Sequence, residues 1–308
     1  MTTHRFTATQ HPSLFGGHEP VLTIEPGDTI ITDTIDAYGM DKEGRQVATG
    51  DNPLTGPFAV RGAEPGDVLI VDLVRLTPSR ATGRGEASLV AGVVDPSFIR
   101  ELPPRVPATW RIDTVERTAT LAEPATNLDI TVPLRPMLGC LGVAPRHDQR
   151  IWSGTSGPHG GNMDFRGLTA GATVYLPVFV PGALLYLGDG HAAQSAGEIG
   201  GSGIETSMEV EVRVDRRKDL PIAWPRGKDA EWIWTIGNAR PLEQAIQHAT
   251  TEMLRCLQSE YALDLPSACM LLSVAAEYEV GNVCNPAFSV ACKLPRSSLS
   301  NQIVQTIP

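Results

Sequence analysis

The sequence predicts a mainly β fold, a β-sandwich or barrel-like body with a smaller C-terminal α+β element of two helices and a returning strand. Three observations predict it. The 308 residues include 30 Gly and 25 Pro, spread between short apolar runs, the punctuation of a β chain with many turns. The segment MEVEVRVD alternates strictly, with Met208, Val210, Val212 and Val214 facing in and Glu209, Glu211 and Arg213 facing water, the period of a half-exposed strand. Helical spacing emerges only after Pro241.

Taken in order, the first elements follow a recurring turn. Glu25-Pro26-Gly27-Asp28 and Glu64-Pro65-Gly66-Asp67 each precede a β-branched run. Pro at the second position fixes φ and Gly at the third supplies a positive φ, so each reads as a type II turn feeding a strand of one sheet system. GATVYLPVFVPGALLYLGDGHA reads as two apolar strands joined around Val180-Pro181-Gly182, the second ending at Gly188. After Pro241, suited to the first helical position, Leu242, Ala245, Ile246, Ala249, Met253, Leu257 and Tyr261 keep helical spacing. A second helix is expected from about Leu265 to Glu279, and FSVACKLP as a returning strand. The chain divides softly near residue 230. A β-rich body over 1–230 carries the candidate site, and an α+β element spans 231–308, with one integrated domain as the alternative.

Composition excludes several functions. Thirty-five acidic against 25 basic residues leave a formal charge of −10, and without a Lys/Arg cluster there is no electrostatic footprint for nucleic acid or an anionic membrane. The N-terminus lacks a charged-then-apolar signal, and apolar stretches such as Ala268 to Ala276 fall short of the roughly 20 residues of a membrane span. A soluble, cytoplasmic protein is expected, a homo-oligomer by default for its size. The five cysteines, Cys140, Cys256, Cys269, Cys284 and Cys292, form no CxxC pair, so a reduced and mostly buried state is expected.

The chemistry concentrates between His159 and Glu205. PHGGNMD, GDGHAAQSAGE and SGIETSME place His159, His191, Asp164, Asp189, Glu198 and Glu205 on glycine-dense backbone that can approach a small ligand closely. Asp189 and His191 are two residues apart at a strand end and so point the same way. Carboxylate plus imidazole suits zinc, iron or manganese better than calcium; the alternative is an Asx-type turn beside a surface histidine. The glycine-dense stretches Gly154 to Gly161 and Gly200 to Gly203 lack a P-loop Lys and the dinucleotide fingerprint. GGSG has no lysine-bearing constellation around it, and no G-x-S-x-G elbow exists. Cys140 reads as a thiol nucleophile or as a buried hydrophobe. Asp33 and Asp36, three apart near a strand end, leave the choice between cleft and turn open.

LTIEPGDTIITDTIDAYG, MLGCLGVAP, HGGNMDFRGLTAGATVYLPVFVPGALLYLGDGHAAQSAGEI and SGIETSME together resemble the acetamidase/formamidase family, over roughly Val21 to Pro295. The resemblance implies hydrolysis of small linear amides to carboxylate and ammonia, on a mostly β fold with a metal-assisted site. It implies Asp36, Asp164, Asp189 and His191 as metal ligands and Glu205 and Glu198 as general base and proton shuttle. Asn162, Gln194 and His159 become the substrate-binding residues, the cofactor a divalent metal, zinc first, with calcium as a candidate second ion. Many members read HGGNHD where this chain has Met163, and QGDGE where it has Gln194-Ser195-Ala196-Gly197-Glu198. The lost carboxylate at Ala196 supports an alternative, a non-catalytic small-amide or metal-binding module. A cysteine-nucleophile amidase using Cys140 is a third reading.

Overall fold

The computed structural model describes residues 1–220 and 222–299. Two sheets are packed face to face. The larger has nine strands in the order Thr3–Phe6, Asp28–Asp33, Met208–Arg217, Val68–Pro78, Thr173–Pro177, Arg226–Lys228, Trp232–Ala239, Phe288–Pro295 and Glu277–Asn282. All its neighbours run antiparallel except the first pair. The second has six strands: Ser156–Gly157, Gly160–Asn162, Met137–Val143, Leu185–His191, Leu54–Val60 and Leu22–Ile24.

Alternation along the strands explains the layering. Met208, Val210, Val212 and Val214 are buried while Glu209, Glu211 and Arg213 lie outward or partly so. They meet Ile30, Leu69, Val71 and Val174 of the same sheet, and Phe58, Leu138, Leu141, Leu185 and Leu187 of the other, in one apolar core. Each such side chain contributes about 1.5–3 kcal/mol by leaving water.

Both Glu-Pro-Gly-Asp segments form the expected turns. Gly27 and Gly66 take φ of 90° and 98°, and the Asp28 and Asp67 amides donate back to Glu25 and Glu64. Their strands flank Met208–Arg217 on either side. The apolar pair around Val180-Pro181-Gly182 differs from a simple hairpin: Thr173–Pro177 belongs to the nine-stranded sheet and Leu185–His191 to the six-stranded one, so this turn carries the chain between layers. The second strand also runs past Gly188 to His191, because Met137 and Leu138 continue the pairing.

Helix α1 (Leu242–Tyr261) buries Ala245, Ala249, Glu252, Met253, Cys256 and Leu257, and Ala249, Met253 and Leu257 pack with Ile233, Cys292 and Leu294 of the large sheet. Pro241 is the residue before the helix rather than its first turn. Helix α2 (Leu265–Ala275) begins on an Asp264 cap and stops short of Glu279. Glu277–Asn282 instead forms the sheet's edge beside Phe288–Pro295, where backbone pairing outweighs helical continuation. Strand Arg226–Lys228 pairs with both Thr173–Pro177 and Trp232–Ala239, so the sheet passes residue 230 without a break.

A four-stranded sheet of Thr82–Glu86, Pro107–Asp113, Thr118–Glu123 and Thr131–Pro133 covers one end. Ile112, Ala119 and Leu134 rest on Ala192 and Ile204, and Arg84 and Glu205 exchange backbone hydrogen bonds. The loop between Leu185–His191 and Met208–Arg217 is thereby held at both ends. None of the helices among the described residues is long and apolar enough to cross a membrane.

Candidate active site

Three parts of the chain converge where strand Leu185–His191 ends. The strand itself supplies Asp189 and His191, with Nε2 of His191 3.3 Å from Asp189 Oδ1. The turn after Gly160–Asn162 supplies Asp164: the Met163 and Asp164 amides both donate to the Gly139 carbonyl, tying the turn to strand Met137–Val143. The following loop supplies Glu198 and Glu205, with Glu205 Oε2 3.0 Å from His191 Nε2. All five are at most 5% exposed. Asp164, Asp189 and Glu198 have φ of 47°, 57° and 46°; such left-handed backbone is costly for a side-chain-bearing residue and clusters at functional sites.

The charges cannot all stand unneutralised. Burial pushes Asp164 well above the ordinary carboxylate range, helped by Glu198 and Asp189. Burial likewise raises Glu198 to about 7 and Glu205 to about 8, against the pull of His191. Burial disfavours the charged imidazole of His191, yet Glu205 and Asp189 outweigh it and hold its pKa well above 6.5. Asp189 also pays for burial, but His191 and hydrogen bonds, one from Asn52, bring it below the usual aspartate value.

These residues fit a divalent cation. One donor atom each from Asp164, Asp189 and His191 lies within 4.8 Å of the others, and the same holds for His191, Glu198 and Glu205. Asp164 Oδ1 is buried and has no hydrogen-bond partner, the condition of an acceptor awaiting a ligand, while Glu205 Oε2 is paired with His191 Nε2. A Cβ at Gly139 would strike the carboxylates of both Asp164 and Asp189, so glycine there keeps the space between them open. The mixed oxygen and nitrogen donors match zinc, iron or manganese chemistry.

Hydrogen bonding fixes the imidazole. Gln194 Nε2 donates to the carbonyls of Asp164 and Gly281 at 2.6 and 3.2 Å, so its Oε1 is the atom 2.7 Å from His191 Nδ1. Nδ1 therefore carries a proton, and Nε2 is the nitrogen turned to the carboxylates. The Gln194 amide is thus engaged at both ends, with Oε1 on the imidazole.

Three other sequence-derived candidates are placed differently. Asp36 lies outside the group: Oδ1 accepts from the Tyr38 and Met40 amides at 3.0 and 2.9 Å, and Oδ2 is held by the Arg80 guanidinium. With its lone pairs occupied by a turn and a cation, it shapes the loop bearing Tyr38, whose phenol is pushed up by burial and by Glu205. His159 is buried against Phe15, ring centroids 5.1 Å apart, and burial lowers its pKa to about 4; it is in neither ligand group. Asn162 stands beside the group, its Oδ1 accepting from Asn52 Nδ2 at 3.1 Å and Cys140 Sγ at 2.8 Å.

Asn52, Cys284, Asn282 and Asn285 were not legible as site residues. Asn285 and Asn282 donate to Asp164 Oδ2 at 2.6 and 3.3 Å, and Cys284 Sγ donates to Glu198 at 3.0 Å. The only signal was turn chemistry in DNP and GNVCNP. Met163 packs in the apolar core, and Ala196 is exposed, so neither position faces the carboxylates. Burial, with Asp189 and Asp164 nearby, raises Cys140 well above the ordinary thiol range, the reverse of an activated nucleophile.

A β-sandwich with a buried carboxylate–imidazole group at a strand end defines the class of protein. The chain belongs to the acetamidase/formamidase family, whose model matches residues 9–155 and 149–298. A crystal structure of an acetamidase from Yersinia enterocolitica superimposes with a TM-score of 0.84 at 31% identity, covering 96% of this chain and 93% of the other. An acetamidase from Mycolicibacterium smegmatis and a formamidase from Methylophilus methylotrophus are each 28% identical, over 60% and 68% of this chain. The chain spans 61% and 63% of the length of those two relatives.

Proposed function

We propose that the protein hydrolyses the C–N bond of small linear amides, formamide and acetamide first among them, to a carboxylate and ammonia. The reading rests on one observation above all: in a member of this family, a histidine with Nδ1 committed to Gln194 turns Nε2 into buried carboxylates, beside which Asp164 Oδ1 is buried with no hydrogen-bond partner. Asp164, Asp189 and His191 would hold a divalent cation, and Glu198 and Glu205 form a second donor group with the same His191. Such an ion polarises a carbonyl oxygen and makes hydroxide available near neutral pH.

The chain's own residues manage the protons. Amide hydrolysis removes one proton from water and delivers one to the departing nitrogen. A carrier with a pKa near the working pH serves both steps best. Glu205 and Glu198, buried beside the ligand group, suit that duty, with Glu205 backed by the Gly203 amide at 2.9 Å on Oε1 and its Oε2 3.0 Å from His191 Nε2. Asn282 and Asn285 keep Asp164 in place, and Gln194 keeps His191 in one tautomer.

The finer points belong to the same proposal. The mixed donor set favours zinc as the ion. The five cysteines are unpaired, which suits a reducing cytoplasm, and α2 leaves Met270 and Val274, one turn apart, exposed, an apolar patch that suits a homo-oligomer. Ammonia release from formamide and acetamide tests the function. Asp189→Ala and His191→Ala should each abolish it together with bound metal. Full turnover in both variants would refute the assignment, and thermal stabilisation by amides with no ammonia released would favour a binding module.

A further inference from the structure

Substrate discrimination needs a group that reads the amide nitrogen, and Gln194 and Asn162 have no free acceptor for it. Gln194 Oε1 faces His191, and Asn162 Oδ1 is taken by Asn52 and Cys140. Asn52 is different. Its Nδ2 faces Cys140 Sγ at 3.4 Å, the Ser153 carbonyl at 3.5 Å and Asn162 Oδ1 at 3.1 Å, and it also serves the Asp189 carboxylate. That surrounding fixes which end of the amide is nitrogen. Its Oδ1 is buried with no hydrogen-bond partner, on a residue only 8% exposed and adjacent to Asp189. A buried acceptor left unsatisfied costs free energy unless something arrives to pair with it. The backbone is held in the left-handed region, φ 53°, which asparagine tolerates better than most residues, and the Asn52 amide is tied to the Ala37 carbonyl.

We propose that Asn52 is a substrate-binding residue that accepts an N–H of the scissile amide on Oδ1, selecting primary amides over esters of the same acyl group. This rests on the amidase reading above. A primary amide brings two N–H donors on the nitrogen that leaves; an ester brings none. Recognition at this atom is therefore lost with the N–H, and the acyl side of the substrate is untouched by it.

The test compares kcat/KM for acetamide and methyl acetate in the wild-type protein, Asn52→Gly and Asn52→Asp. Glycine keeps the left-handed backbone and removes the side chain; aspartate keeps both the acceptor and the shape. Asn52→Gly should lower kcat/KM for acetamide by about tenfold or more, the worth of one hydrogen bond, with methyl acetate within about twofold. Asn52→Asp should retain more of the preference for amide over ester than the glycine variant. An equal loss on both substrates in Asn52→Gly, or no loss on acetamide, overturns the proposal and leaves the amidase reading standing. A wild-type protein that releases no ammonia from any amide overturns the amidase reading and this one with it.

Discussion

Gly139 and Gln194 carry the site although neither is a donor to it. Gly139 leaves room between the carboxylates of Asp164 and Asp189, and Gly139→Ala should expel the ion while leaving the sandwich folded, read as loss of bound metal with an unchanged circular dichroism spectrum. Gln194 sets the His191 tautomer, so Gln194→Leu should weaken metal affinity by about 10–100-fold, the usual cost of losing an orienting partner; competition with a chromogenic chelator measures it. The sequence exposes the donors because Asp164, Asp189, His191, Glu198 and Glu205 lie within one glycine-dense stretch. It conceals Asn52, Asn282 and Asn285, which reach the same place from residues far off in the chain and read locally as turns. Asp36 shows the converse. A carboxylate near a strand end has the same sequence appearance whether it faces a cleft or an arginine, and only the position of Arg80 decides.

Among the elements, helix α1 was legible because its apolar spacing is long and regular, and the end of α2 was not. The run beyond Ala275 suits a short strand as well as a helix turn, and the free edge of Phe288–Pro295 settles the matter by offering backbone partners. One charged contact ties these elements together. Arg226, on a strand of the large sheet, bonds Glu252 and Glu260 of α1 at 2.7 and 2.6 Å, all three nearly or fully buried. Removing one partner of a buried ion group strands the other charges, so Arg226→Met should cost about 3–5 kcal/mol of stability, measurable by urea unfolding. Replacing the outward Arg213, which is 44% exposed in its side chain, should change stability by less than about 0.5 kcal/mol.

On the scale of the whole molecule, the mainly β architecture followed from alternation and turn chemistry, while the choice of sandwich over barrel and the crossing between layers at Val180-Pro181-Gly182 did not, because a turn sequence does not say which sheet receives the next strand. The formal charge of −10 includes four acids gathered in one buried place, and they make stability depend on pH. In ion-free protein Glu198 and Glu205 hold protons up to about 7 and about 8, whereas the unfolded chain releases them near 4.5. The folded state then binds more protons across that window, so its stability falls as pH rises from about 5 to about 8. The raised His191 acts in the same direction above 6.5, and the lowered Asp189 acts only below 3.8. A cation competes with those protons, so its affinity rises over the same window. Scanning fluorimetry with chelator and with added zinc should show a falling melting temperature in the first case and a growing zinc-induced shift in the second.

The most direct measurement combines elemental analysis with ammonia release on one preparation, as purified, after chelation and after reloading with zinc. The expected result is about one divalent ion or more per chain, loss of acetamide and formamide turnover on removal, and recovery on reloading. Undiminished ammonia release from protein that carries no metal would contradict the central claim.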